Sequence, residues 1–407
     1  MSILVVILLA VIVIVIAMRL HVSVGGAILA GGLTMWLCVD RSPATLAASL
    51  METLKASRTY DLIFSLYFVM CLESALRLSK TLDGMVAALN RLFSSARVTA
   101  AVMPAFLGLL PSMGGALFSA PIVAEGCRGM KIPAEVKASV NYWFRHVFEA
   151  GSPTIPGMIL ACAIAGVPLS DLVVHLLAFS LAFALIGWVV LLMPYKSEDQ
   201  TAAPVESGHR MTEDILNVVL AVSPVVVNVV LMMLFDMSAA PAMGAAVAIL
   251  VLTLAVLKRP VPLLKILTGS INWKLFLNVS CILYFISLLT LSGVLDQLVA
   301  ELRAAPLPVP VIFALLSLLI GALTGMSQAF IAIVMPIAAG IATGSVHYAG
   351  LAMVFGLAGQ MLTPVHLCFT ISVNYFEASF SGVFRRIFLC TTLSLIFYAG
   401  YAWLLWA

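Results

Sequence analysis

The sequence predicts an all-α polytopic membrane protein, and its composition carries this prediction. The chain has 407 residues, of which 63% are hydrophobic and only 10% are charged. Ordinary soluble domains carry about 25% charged residues, so a soluble globule of this composition would expose an apolar surface to water. The same composition excludes intrinsic disorder. A net charge of +3 offers no basic surface for nucleic acid.

Eight apolar segments are long enough to cross a bilayer. The first lacks a basic start and a small-residue cleavage site before Arg19, so we expect it to remain as a span rather than be removed as a signal peptide. Shorter amphipathic segments between the spans are expected to lie along the interface. The eight predicted spans are 2–18, 22–39, 60–78, 171–194, 214–235, 239–257, 274–293 and 387–406.

Four further apolar segments contain interruptions. Segments 98–128 and 308–343 break at PSMGG (111–115) and TGMSQ (324–328). Each half is short for a full crossing at 1.5 Å per residue. We predict two re-entrant helical hairpins, with one kinked helix at each place as the alternative. Segments 139–167 and 349–375 are long but contain Pro and Gly clusters, which predicts two broken spans.

The order of these parts repeats along the chain. Residues 1–194 and 214–407 each contain five predicted crossings and one hairpin, joined by a polar linker at 195–213. Because five is an odd number, the second half is predicted to be inverted relative to the first. Inverted repeats with broken helices are typical of secondary transporters.

Lysine and arginine residues predict the orientation. With ten crossings, 17 of the 21 basic residues fall on one side, which we assign to the cytoplasm. Both termini are then extracytoplasmic in a multi-pass protein of the inner (cytoplasmic) membrane. The first hairpin enters from the cytoplasm and the second from outside. The basic residues of the other side are Arg41, Lys55, Arg58 and Arg303.

The interruptions are the predicted binding site for substrate and coupling ion. Half-helices that begin there offer unpaired N–H groups and a positive dipole end, which favour an anion. Short hydroxyl side chains at the breaks suit ligand contact, or else cap the freed backbone. The candidate residues are Ser112, Met113, Gly114, Gly115, Arg145, Glu149, Ser152, Thr154, Pro156, Thr324, Gly325, Ser327, Gln328, Thr363, Pro364 and His366.

The segment NYWFRHVFE (141–149) carries the most chemistry in the chain. Asn141, Arg145 and Glu149 have the i, i+4, i+8 spacing of one helix face. Ionisable groups that enter a span are functional candidates; an interfacial anchor pair flanked by aromatic residues is the alternative. His146 lies on a neighbouring face. His366 and Cys368 offer only two metal ligands, so we predict no metal site.

Two local motifs support a resemblance to a known family. The segment NYWFRHVFE followed by P-x-x-PG, and TPVHLC followed by NYF, resemble an uncharacterised prokaryotic integral membrane protein family of the ion transporter superfamily. That superfamily includes gluconate, citrate and dicarboxylate transporters. The resemblance implies an elevator-type fold with a scaffold and a moving transport domain. The sodium-dicarboxylate branch has Ser-Asn-Thr at its hairpin tips, which this chain lacks, so the coupling ion remains open between H⁺ and Na⁺.

The sequence therefore predicts a secondary active transporter of a small organic anion, working by alternating access in the lipid bilayer without a cofactor. A channel or lipid flippase on the same fold is the alternative. An enzyme is not expected, because Tyr60-Asp61 lacks a Gly-x-Gly-Asp partner and neither Gly-x-Ser-x-Gly nor His-Glu-x-x-His occurs. Tyr67, Phe68 and Met70 are expected either to form the interface of a homodimer or to face lipid.

Overall fold

The computed structural model describes residues 2–92, 95–108, 115–127, 130–195 and 208–406. Within these ranges every regular element is a helix. The helices are α1 Ile3–Arg19, α2 Val24–Val39, α3 Pro43–Lys55, α4 Ser57–Leu78, α5 Thr81–Leu92, α6 Ala96–Gly108, α7 Gly115–Gly126, α8 Ala134–Arg145, α9 Pro156–Ala165, α10 Leu169–Gly187 (extended by a π-helical turn, Trp188–Leu192), α11 Gly208–Phe235, α12 Ala239–Val256, α13 Leu263–Gly269, α14 Trp273–Leu291, α15 Val294–Ala304, α16 Val309–Thr324, α17 Ser327–Ile341, α18 Val346–Met361, α19 Leu367–Tyr375 and α20 Phe380–Trp406.

Among the described residues, five helices are long and apolar enough to cross a membrane. They are Leu169–Leu192, Met211–Phe235, Ala239–Val256, Trp273–Leu291 and Phe380–Leu405. The all-helical class is thus confirmed for the described residues, and five of the eight predicted spans form helices long and apolar enough to cross a membrane. Helices α1 and α2 are apolar but shorter, at 17 and 16 residues.

Local sequence explains where several helices begin. Ser23, Asn272 and Ser345 each accept a hydrogen bond from a backbone N–H three residues later, which satisfies one of the N–H groups left open in a first turn. Pro43 begins α3, a position where a missing N–H costs nothing.

The chain forms two compact units, and each draws on both halves of the sequence. The first unit comprises 1–64, 159–175 and 272–363. In this unit α2 packs against α1 and α14, and α16 packs against α17 and α18. The chain between α16 and α17 is only Gly325–Met326, and Gly325 has the left-handed φ of 63°.

The second unit comprises 65–158, 176–271 and 364–407. Helix α11 packs against α5 and α12, while α8 packs against α6, α7, α19 and α20. Helix α8 is therefore the central element among α6, α7, α19 and α20. Its residues from Val136 to Arg145 are buried with the single exception of Lys137.

Candidate functional site

Aromatic packing fixes the C-terminal half of α8 in the second unit. The ring of Trp143 stacks on Phe183 with centroids 3.7 Å apart, and its indole N–H donates to the Phe183 carbonyl at 3.0 Å. A Cβ atom at Gly187 would lie 2.3 Å from the Trp143 ring. Only glycine at position 187 permits this close approach, so the following residues of α8 have a rigid support.

Asn141 joins three elements through its amide. The amide N–H groups donate to the Ala116 carbonyl at 3.1 Å and to the Ser372 hydroxyl at 2.9 Å. The Ser119 hydroxyl donates to Oδ1 of Asn141 at 2.6 Å. Asn141 is fully buried, and a buried amide is stable only when its groups are paired. Asn141 therefore fixes α8 against α7 and α19.

The helix in the NYWFRHVFE segment ends earlier than the spacing of Asn141, Arg145 and Glu149 predicts. Helix α8 ends at Arg145, and residues 146–151 form consecutive turns, with N–H groups of His146 and Glu149 bonded to carbonyls three residues earlier. Asn141 and Arg145 share the helix, but Glu149 lies beyond it. Pro153 and Pro156 lie just downstream, where a continuing helix would clash and lose hydrogen bonds.

Arg145 links the end of α8 to the end of α6 by a hydrogen bond. Its guanidinium donates to the Leu107 carbonyl at 3.2 Å, and the side chain is buried. A Cβ atom at Gly108 would lie 2.0 Å from the Arg145 carbonyl oxygen. The buried guanidinium is a permanent positive charge inside the second unit, because arginine does not deprotonate.

Two histidines and a cysteine meet at the end of α8 and the start of α19. Nε2 of His146 lies 3.0 Å from Nε2 of His366. One ring nitrogen of each histidine and the Cys368 sulfur all lie within 4.8 Å of one another. Both histidines are buried and Cys368 is half-buried. We call these three residues the His–His–Cys cluster.

The surroundings of the cluster orient its rings. Nδ1 of His146 lies 2.7 Å from the Tyr142 carbonyl oxygen, which can only accept, so Nδ1 carries the proton. In neutral His146 the Nε2 atom is then an unprotonated lone pair that faces His366. Tyr142 lies edge-on to His146 and Phe369, with centroids 4.9 and 5.3 Å away.

Glu149 is the carboxylate beside the cluster. Its Oε2 lies 3.7 Å from Nε2 of His146, and only 13% of its side chain is exposed. Of the residues predicted for the site, the structure thus brings Glu149 and His366 together. His146 and Cys368 complete the group. The signal in the sequence was weak, because 220 residues separate the two histidines.

The Ser152–Pro156 break contributes hydroxyl groups in the second unit. The hydroxyls of Ser152 and Thr154 are 2.8 Å apart and both residues are buried. Thr154 also lines an otherwise largely apolar cavity with Glu73, Leu76, Met85, Phe106, Leu72 and Val225 among its walls. Pro156 is the first residue of α9.

The second hairpin candidates lie in the first unit. Thr324 is the last residue of α16, and its hydroxyl donates to the Ile320 carbonyl at 2.8 Å. Ser327 and Gln328 begin α17. Thr363 is buried at the end of the first unit, whereas Pro364 and His366 belong to the second unit. Each unit therefore carries its own part of the candidate set.

The tip of the first predicted hairpin lies outside the described residues. Ser112, Met113 and Gly114 are in the undescribed range 109–114, and Gly115 is the first residue of α7. Helices α6 and α7, which flank this range, pack against each other.

The chain belongs to the family described as "Protein of unknown function (DUF401)", whose model matches residues 1–404. No curated protein matches the sequence.

Proposed function

We propose that this protein is a secondary active transporter that carries a small organic anion across the membrane by alternating access, coupled to H⁺ or Na⁺. One observation carries the proposal. Among the buried arginine, lysine, histidine and acidic side chains of the described residues, three of four lie where helices are interrupted: Arg145, His146 and His366. In a membrane such groups are costly, and they typically line the path of a substrate or ion.

The break after α8 supports an anionic substrate. Arg145 supplies a fixed positive charge, and its guanidinium has five N–H donors, one of which is directed at the Leu107 carbonyl. The hydroxyls of Ser152 and Thr154 follow within ten residues of Arg145. A carboxylate is the anion whose planar geometry a guanidinium recognises best.

The same break offers a group for proton coupling. Glu149 is largely shielded from solvent and lies near His146. A carboxylate or imidazole that gains and loses a proton during a transport cycle connects substrate movement to a pH gradient. The resemblance to the ion transporter superfamily implies the same class of mechanism.

Reconstitution into proteoliposomes tests this proposal. A thermal-shift screen against organic anions, with and without Na⁺ and at several pH values, selects a substrate for the flux measurement. We expect saturable uptake and accelerated exchange when unlabelled substrate is present on the opposite side. Unsaturated electrodiffusion would instead indicate a channel, and the absence of anion flux would refute the proposal.

Two variants connect the flux to the break after α8. Glu149→Gln is expected to abolish uptake driven by a pH gradient and to preserve exchange, whereas Arg145→Lys weakens substrate binding because the planar fork is lost. Glu135→Gln is the matched control, since Glu135 lies in the first turn of the same helix α8 and is only partly buried. Normal pH-driven uptake by Glu149→Gln would remove Glu149 from the mechanism.

A further inference from the structure

We propose that the His–His–Cys cluster is a binding site for a divalent transition-metal ion of the zinc class. The ligands are Nε2 of His146, Nε2 of His366 and Sγ of Cys368. Two imidazoles and a thiolate are the donor set preferred by borderline-soft ions such as Zn²⁺, and not by Ca²⁺ or Mg²⁺. His146 and Glu149 also take part in the proposed function, but Zn²⁺ binding is measured without anion transport, so the two proposals fail separately.

The distances fit a shared ion. Zn–N bonds of about 2.0–2.1 Å and Zn–S bonds of about 2.3 Å place ligand atoms of a tetrahedral site roughly 3.3–3.8 Å apart. The two Nε2 atoms are 3.0 Å apart, and one ligand atom from each of the three residues lies within 4.8 Å of the other two. Movements of about 0.3–1 Å in the side chains therefore bring the three donors to coordination distance.

The hydrogen bond of His146 prepares it as a ligand. Its Nδ1–H donates to the Tyr142 carbonyl, which leaves Nε2 as the lone pair. Metal-bound histidines usually donate their other N–H in this manner, because the bond fixes the tautomer and the ring orientation. The ring is also held by the edge of Tyr142, so little conformational entropy is lost on coordination.

The helix ends favour the charges that the site requires. His146 is the C-cap of α8, where the dipole favours a cation. Cys368 is the second residue of α19, and a thiolate is favoured in the first turn of a helix. Coordination forms two Zn–N bonds and one Zn–S bond. The thiol proton of Cys368 leaves to solvent, and the His366 proton that faces His146 moves to Nδ1.

The fourth position is next to Glu149. Its Oε2 is 3.7 Å from Nε2 of His146, and Glu149 lies outside the group of three donors. The fourth ligand is therefore either the Glu149 carboxylate, after its side chain moves toward the ion, or a water molecule. With Glu149 bound, a thiolate and a carboxylate neutralise the two charges of the metal ion. The site is thus compatible with burial, where an unbalanced charge would be costly.

Metal binding by the full-length protein, purified in detergent with a tag that lacks histidine, tests the proposal. We expect one Zn²⁺ per chain in equilibrium dialysis with elemental analysis, no binding of Mg²⁺ at equal concentration, and a thiolate-to-metal charge-transfer band with Co²⁺. His366→Ala and Cys368→Ser are each expected to weaken Zn²⁺ binding more than about 100-fold, since loss of even an outer-sphere partner costs about 10–100-fold.

Cys390→Ser is the matched control, because Cys390 is a buried cysteine of the same unit outside the cluster. It should retain the cobalt band that Cys368→Ser loses. If the variants do not fold, alkylation of the wild-type protein gives the answer: Zn²⁺ should protect Cys368 from a thiol reagent. Absence of stoichiometric Zn²⁺ binding, an unchanged affinity in Cys368→Ser, or no protection of Cys368 would overturn the proposal.

Discussion

Two helix interruptions, one in each compact unit, are built in opposite ways. The break between α16 and α17 in the first unit takes two residues, with a left-handed Gly325 and a Thr324 hydroxyl bonded back to its own helix. The break after α8 in the second unit takes ten residues. It follows the buried Arg145 and contains the buried residues His146, Ser152 and Thr154. Backbone geometry shapes the first break, whereas Pro153 and Pro156 prevent a continuous helix at the second and buried polar side chains line it.

This difference shows that a similar order of helices does not give the two halves of the chain the same chemistry. The histidine, carboxylate and guanidinium groups concentrate around the second-unit break. In the first unit, glycines allow α16 and α18 to approach until backbone atoms touch. Substitutions near α16 should therefore lower stability mainly by disturbing backbone geometry. Substitutions at the end of α8 should lower it mainly by removing hydrogen bonds of polar side chains.

The largest loss of stability is expected for Gly359→Ala in α18. The added Cβ would lie 2.0 Å from the Leu318 carbonyl oxygen and 2.7 Å from the Ala322 backbone nitrogen. Because these are backbone atoms, α16 and α18 must separate, and we expect a loss of about 3 kcal/mol or more. Thermal unfolding in detergent measures it. Gly400→Ala is the control, since nothing lies within 4 Å of its Cβ position; equal loss in both variants would contradict close packing as the cause.

Asn141→Ala should follow, with a loss of about 2–3 kcal/mol. The substitution removes three hydrogen bonds, to the Ala116 carbonyl and to the hydroxyls of Ser119 and Ser372, and each such bond contributes about 0.5–1.5 kcal/mol. The same unfolding measurement applies. Ser139→Ala on α8 is the comparison, because its hydroxyl bonds only within its own helix. A midpoint for Asn141→Ala equal to that of Ser139→Ala would show that side-chain bonding does not hold this break.

Gly325→Val is expected to cost about 1–2 kcal/mol, the penalty for an L-residue with left-handed φ. Gly325→Asn should cost less, because asparagine adopts this conformation more readily. The comparison isolates the backbone contribution to the first-unit break. If valine and asparagine give the same unfolding midpoint, left-handed geometry is not what shapes the turn. In the proposed transporter, Gly325→Val should also abolish anion uptake while the protein stays folded.

The smallest effect is expected at the opposite end of α8. Hydrogen bonds from its own backbone N–H and from the Ser379 hydroxyl hold the pKa of Glu135 below its ordinary value. The ionised Glu135 carboxylate therefore stabilises the folded protein fully at pH values above the ordinary glutamate pKa. This stabilisation is lost as the pH falls through the lowered pKa of Glu135. Ser379→Ala should reduce that acid-dependent loss and change stability by less than about 0.5 kcal/mol, as is usual at the surface. Thermal unfolding midpoints of the wild type and Ser379→Ala, measured at several acidic pH values, test this prediction. A stability change well above about 0.5 kcal/mol would show that the first turn of α8 contributes more to stability than expected.

Composition and hydrophobic length were sufficient to predict the all-helical class and five long apolar helices, because the length and residue types of a segment largely decide whether it is a long apolar helix. Three predicted breaks, near 152–156, 324–328 and 363–364, also coincide with described ends of helices, since proline and glycine act locally. The exact end of α8 was not predicted: the i, i+4 spacing of Arg145 and Glu149 indicated one helix face, and the turns at 146–151 place Glu149 off that helix.

Only the tertiary structure decided which of the candidate residues meet. His146 and His366 are separated by 220 residues, and nothing in their local sequences specifies a 3.0 Å contact between their rings. Asn141 bonds to Ser372 and so joins α8 to α19, the two helices whose ends carry His146 and His366. A sequence determines local conformation and burial through short-range rules, whereas long-range contacts of this kind arise from the packing of many side chains at once, which no spacing within a single helix encodes.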